Sequence, residues 1–250
     1  MSLVLPDREE GVAAVAKQER AEQTRRALIG AAALTFDEVG YERSSLTRIS
    51  EAAGVSKGAL SFHFASKEEL ADAVQESAHL AARAVVDDVR RRPGPALQSV
   101  IDITHELAAL LEKDPVARAG ARLARERPQA ASLPRHWNAA WAEAVRRLLR
   151  HARADGSLIP DANVHTVAVL VAYLMSGLET TVRDHGVLAD LVPRQDTDDP
   201  PEPPRAWLSR IWELVLPEVA AAGHLPVLMA DGSRGGDGAL CPLGPPTAEP

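Results

Sequence analysis

The chain has 250 residues, 46% of them hydrophobic and 25% charged, enough to bury a sizeable core and too apolar for a wholly disordered chain. Its net charge of −7 argues against a structural coat for nucleic acid, whose surface would be far more basic. The single cysteine, Cys241, excludes an intramolecular disulfide framework and offers no metal set.

The charge is unevenly spread. Residues 17–67 carry eight Lys/Arg against six Asp/Glu, while residues 1–16 are net −2 and residues 68–250 net −7. One mildly cationic segment in an acidic chain points to that segment as the part that meets a polyanion. The apolar patch Val12–Val15 is too short for a signal peptide and follows Asp7, Glu9 and Glu10. The longest apolar run, Val164 to Leu178, is interrupted by His165, Thr166, Tyr173 and Ser176, so no membrane span and a cytoplasmic location are expected.

In chain order, residues 1–16 read as an acidic, disordered arm. A first helix is expected over 20–38, with Leu28, Ile29, Ala32, Ala33 and Phe36 on one face. Lys17, Arg20, Arg25 and Arg26 near its start are candidates for backbone phosphates, or simply solvated charges. Gly40 ends it, and Tyr41 is expected to pack beneath the reading head. That head runs from Ser44 to Lys67, where two short helices flank a turn at Ala53-Gly54-Val55. Ser45 and Ser56 are their N-caps, and Gly54 suits a left-handed turn. Leu46, Ile49 and Ala53 make one apolar stripe and Leu60 and Phe64 another, leaving Lys57, Gly58 and Ser61 on the opposite face. A tight helix–turn–helix with a small, polar, singly basic outer face is a shape the DNA major groove accepts.

Ser66 and Glu69 form a capping box that opens a helix to about Arg91, closed by Pro93-Gly94-Pro95. Its period runs through Leu70, Val74, Ser77, Ala81 and Val85. Further helices are expected near 96–112, 115–125, 133–154, 161–185 and 205–222, with an acidic, Pro-rich excursion at 193–204 and a disordered tail from 223 to 250. The expected fold class is all-α: a three-helix DNA-binding domain over 17–65, then a helical ligand-binding and dimerisation domain over 66–222.

The second half offers no catalytic set, so no enzyme, cofactor or metal is expected. No His-Glu-x-x-His, Cys-x-x-Cys or nucleophile-elbow pattern occurs. His105 with Glu106 and His136 with Glu143 are better read as capping, surface or pocket-polar groups, and Asp155 and Asp161 as turn residues. A ligand cavity is the more natural use. Trp137 and Trp141, at i and i+4, offer large flat walls with one donor each. Leu107, Leu110, Leu111, Val171, Leu174 and Met175 would supply other walls, ordinary core being the alternative for each. Thr104, Tyr173, Thr180 and Thr181 are candidate hydrogen-bond partners. The apolar residues from Val164 to Leu178 circle most of their helix, and Trp207, Ile211, Leu214 and Val215 stripe the last one. Four such helices from two chains would bury both sets, unless an intramolecular core covers them.

The run from Thr24 to Lys67, with GYERSSL, ISEAAGVSKGALSFHF and SKEEL in order, resembles the DNA-binding domain of TetR-family repressors. That resemblance implies a DNA-facing set of Ser45, Thr47, Arg48, Ser56, Lys57, Gly58, Ala59, Ser61, His63 and Lys67, presented by a homodimer to a palindromic duplex operator. Ser61 departs from the family's usual Tyr, which commonly touches the DNA backbone. DPVARAGARLARE and the Trp-bearing helix after it are similar to the γ-butyrolactone receptor branch. There a Trp lies over the ligand, so the resemblance implies that role for Trp141, with Trp137, Leu107, Leu110, Leu111, Val171, Leu174, Met175 and Thr180 around it. The implied ligands are small, apolar-tailed lactones, butenolides or furans controlling secondary metabolism. The alternatives are a drug-sensing repressor of an efflux gene, with Glu106 or Glu179 as counter-charge, and a small-molecule binding protein that has lost operator binding.

Overall fold

The computed structural model describes residues 8–128, 136–183 and 203–233. Apart from one isolated antiparallel bridge, Leu158 with Ala220, the secondary structure among them is helical. The α-helices of these described residues are, in order, α1 (Arg8–Arg43), α2 (Leu46–Ala52), α3 (Lys57–His63), α4 (Lys67–Val89), α5 (Ala96–Lys113), α6 (Pro115–Glu126), α7 (Trp137–Ala154), α8 (Val164–Arg183) and α9 (Pro204–Val219).

Two hydrophobic clusters organise the chain. The first joins Leu28, Ile29, Ala32 and Phe36 of α1 to Ile49, Leu60 and Phe64, to Leu70, Ala71 and Val74 of α4, and to Ala119 and Leu123 of α6. The second, larger one takes α4 from Ala78 onward together with α5, Ala117 and Ala121 of α6, α7, α8 and α9. The two clusters meet on α4 between Val74 and Ala78.

α6 locks the two parts together. Gly120 crosses α4 so closely that a Cβ built on it would lie 2.2 Å from the Cβ of Ala78. On the head side, Arg118 Nε donates to Asp37 Oδ2 at 2.6 Å and Arg122 Nη1 to the Asp37 carbonyl at 2.7 Å. Glu126 Oε2 accepts from the Tyr41 amide at 2.7 Å. This close approach needs Gly40, which sits at φ +82 with the Arg122 guanidinium where a side chain would be, and which breaks the helical path inside α1. Tyr41 does pack at this joint: its ring lies 5.9 Å from Phe36 and beneath Arg127 and Lys67.

Two expectations need correction. The backbone is helical from Arg8, so the second half of the expected disordered arm is helix. Its Arg8, Glu9, Glu10 and three alanines are good helix formers that extend the helix from the packed part of α1. The expected disordered tail is ordered as far as Ser233. It includes a 3₁₀ turn at Leu225–Val227 and is strapped across α5. The Met229 amide donates to Gln98 Oε1 at 2.7 Å, His105 Nε2 lies 2.8 Å from the Ala230 carbonyl, and the Ser233 amide donates to Asp102 Oδ1 at 2.8 Å. α8 is long and apolar enough to cross a membrane by length and composition alone, with mean hydropathy 1.2 over Val164–Val182. Its Val167, Val171, Met175 and Leu178 are buried in the body core.

The expected stripe of α9 is not the buried one. Leu208, Trp212 and Leu216 face the core, with Trp212 Nε1 donating to Thr104 Oγ1 at 3.0 Å. Leu214 is left 77% exposed and Trp207, Ile211 and Val215 half-buried. Val169 and Tyr173 of α8 are likewise exposed. The 193–204 excursion lies outside the described residues but for its last two, and the first three residues of the helix expected over 133–154 lie outside them entirely.

Candidate functional site

The reading head is built from local signals. Ser45 Oγ accepts from the Arg48 amide at 3.2 Å and Ser56 Oγ from the Ala59 amide at 3.1 Å, so both hydroxyls are capping bonds of α2 and α3. Ser66 caps α4 in the same way through the Glu69 amide. With Ile49, Leu60 and Phe64 buried, α3 presents Lys57, Gly58 and Ser61 to solvent, Ala59 and His63 being half-buried beside them. Thr47 is half-buried on α2. Arg48 is exposed and already paired with Glu38 at 2.9 Å.

Lys67 does not belong to this face. Its ammonium donates to the carbonyls of Tyr41 at 2.9 Å and Ser44 at 3.2 Å and sits 4.3 Å above the Tyr41 ring. It is a clamp between α1 and α4, with two of its three donors taken by these carbonyls. Phe62, absent from the expected set, is 82% exposed on α3 with its ring edge-on to His63 at 5.3 Å. An aromatic next to Ser61 on a helix whose other large apolar residues are buried was the signal available in the sequence.

In the body, the two tryptophans separate into different roles. Trp137 is fully buried and its indole N–H donates to Glu179 Oε1 at 2.7 Å, while Arg125 Nη1 donates to Glu179 Oε2 at 2.6 Å. Trp137 is thus a pin joining α6, α7 and α8, not an open ligand contact. Trp141 is 4% exposed, and its Nε1 has no partner among the described residues. Leu107, Leu110, Leu111, Val171 and Met175 are buried in the same cluster as Trp141, and Leu174 packs against it half-buried. The hydroxyls fare less well as ligand contacts. Thr104 is bonded to Ile101 and Trp212, Thr180 to the Ser176 carbonyl and Thr181 to that of Gly177, and Tyr173 is 73% exposed.

The imagined acid–base pairs come apart. Glu106 accepts from Arg92 at 2.6 Å while His105 holds the C-terminal strap, and Glu143 clusters with Arg146 and Arg147. No group of three His, Cys, Asp or Glu among the described residues is placed to hold a metal ion.

Burial pushes the Glu179 carboxyl above its ordinary value of 4.5, against the opposing pull of Arg125 and the Trp137 bond. A carboxyl raised on folding adds stability in acid and loses it as pH climbs through the raised value. Urea unfolding of Glu179→Gln is therefore expected to show a flatter dependence on pH than the parent from about 4.5 upward, where the parent's stability declines.

Comparison with known proteins places these observations. Residues 28–74 match the family model of bacterial regulatory proteins of the tetR family. The A-factor receptor protein of Streptomyces griseus is 31% identical over 218 residues, spanning 87% of this chain and 71% of the relative. A crystal structure of a γ-butyrolactone receptor (ArpA-like protein) superposes with a TM-score of 0.69 at 31% identity, covering 85% of this chain and 96% of the other. CprB of Streptomyces coelicolor, solved in complex with its biological operator sequence, superposes at 0.66 and 32% identity, covering 86% and 97%. With its reading head, its body and most of the length of these relatives in agreement, the chain belongs to the TetR family of transcriptional regulators, in the branch similar to γ-butyrolactone receptors.

Proposed function

We propose that this ligand-responsive regulator is a cytoplasmic, homodimeric repressor of palindromic operators, released by a small γ-butyrolactone-, butenolide- or furan-type signal and controlling secondary metabolism. The observation that carries the ligand class is Trp141: a buried indole donor without an acceptor among the described residues, amid apolar side chains, suits a ligand whose polar group is a ring carbonyl. Glu106 and Glu179, the acids a cationic drug would need, are paired with Arg92 and Arg125.

The dimer rests on the outward apolar residues of α8 and α9. Val169, Tyr173 and Leu214 leave apolar surface on two neighbouring helices that a second copy would cover. Two heads would then meet successive major grooves about 34 Å apart. Ligand bound in the body acts only through its different affinity for the two head spacings. Moving from 1:99 to 99:1 takes about 5.5 kcal/mol of difference. The joint that would convey it is α6, whose arginines hold α1 while its first residues lie in the body core.

Gel-shift on the DNA upstream of the chain's own gene, with and without a hexyl-substituted γ-lactone, tests the reading. Salt-sensitive binding released by the lactone is the expected result. Binding with no release removes the lactone class, and no binding removes the repressor. In the same assay Ser61→Tyr is expected to tighten binding by several-fold. The longer hydroxyl reaches a phosphate that Ser61 does not, a gain of the order of one hydrogen bond, about 1 kcal/mol.

A further inference from the structure

Between the two hydrophobic clusters α4 carries a glutamine. Gln75 follows Val74, the last α4 residue of the head cluster, and precedes Ala78, the first of the body cluster. It is 1% exposed, and neither its Oε1 nor its Nε2 has a partner among the described residues. A primary amide brings two donors and an acceptor, and leaving all of them unmade in a closed interior is costly unless something else satisfies them.

Its neighbours on α4 show which side of the helix it shares. Asp72, three residues earlier, is held by Arg127 Nη1 at 2.7 Å from the end of α6. His79, four residues later, has Nδ1 3.1 Å from the His136 carbonyl at the start of α7. Residues at i−3 and i+4 share a helix side with i, so Gln75 lies on the side of α4 that faces the end of α6 and the start of α7. There His136 Nδ1 is a second buried polar atom without a partner among the described residues. α7 then continues to Trp141 and its open indole donor.

We propose that Gln75 is the polar anchor of the small-ligand site, and that it selects a head group presenting a donor beside an acceptor, as a lactam or other secondary amide does. Such a group forms two parallel bonds with the Gln75 amide, N–H to Oε1 and C=O from Nε2. A lactone is acceptor-only and leaves Oε1 unmet. The assignment rests on the reading that the body takes a small apolar-tailed ligand, and it sharpens that reading's chemistry. It also puts the recognised group where the head and body cores meet, so that filling the site bears on both.

The test is a matched pair: a γ-lactone and the γ-lactam with the same hexyl tail, differing by ring O against N–H, titrated calorimetrically into the full chain. The wild-type protein is expected to bind the lactam about 10- to 100-fold more tightly. In Gln75→Leu and in Gln75→Met, which keeps the side-chain length, the two compounds should come within about threefold. A ratio that survives in the variants, or a wild-type protein that prefers neither, overturns the assignment. Melting of the unliganded proteins gives a reading that needs no ligand. If the amide is open, removing it raises the Tm by about 2–4 °C, whereas a fall means it already has a structural partner and overturns the proposal. Should neither ring compound bind the wild-type protein, the small-lactone reading fails by itself, and the melting comparison alone decides on the open amide.

Discussion

Gly120→Val is expected to destabilise the protein by about 3 kcal/mol or more, seen as a lower urea midpoint. Even the first added carbon would stand 2.2 Å from the Ala78 Cβ, well inside van der Waals contact, and neither α4 nor α6 has slack to give. α6 is fixed to α1 through Asp37 and Tyr41, and α4 begins in the same core that receives Leu123 of α6. Pushing the helices apart would strain the first and open the second. The cause is testable by compensation. Gly120→Ala combined with Ala78→Gly puts one methyl back where one has been removed, and should recover most of the loss that Gly120→Ala alone incurs. Additive losses would locate the fault elsewhere.

Lys57→Ala is expected to weaken operator binding at least about 30-fold and to flatten its salt dependence. Lys57 is exposed, makes no ion pair among those described, and stands at the start of α3. A single groove or phosphate contact is worth about 1–3 kcal/mol, and a dimer loses it twice. The comparison that gives this force is Lys67→Ala. That lysine belongs to the same cationic segment but its charge is tied to Tyr41 and Ser44. Lys67→Ala should lower the melting temperature and leave the salt slope near that of the parent. Equal effects on the slope would show that net charge, not the α3 face, governs binding.

The contrast between those lysines shows what a sequence can yield. The helix–turn–helix was readable because each of its determinants is local: Ser45, Ser56 and Ser66 cap within three residues, and the apolar spacings fix which side of α3 turns out. Helix order in the body was readable for the same reason, through periodicity and Pro/Gly punctuation. What escaped depends on partners far along the chain. Arg118 and Arg122 look like ordinary surface charges of an amphipathic helix, and their partner Asp37 lies 81 and 85 residues away. Trp137 and Trp141 are equivalent by spacing, and only Glu179, 42 residues from Trp137, separates the pin from the open donor. Gln98, Asp102 and His105 gave no hint of a docked tail, because nothing between 223 and 233 repeats with a helical period.

That strap fixes more than a chain end. α9 leaves its last turn into backbone bonds with the α7–α8 connection, Ile159 N to the Val219 carbonyl at 2.9 Å and Ala221 N to that of Ser157 at 3.0 Å. The chain then doubles back to α5, which also receives Trp212. Anchored beyond its C-terminus as well as through Trp212, α9 is held against fraying at that end. Whatever lands on its outer side there meets a surface braced from behind, so association forfeits less further chain entropy.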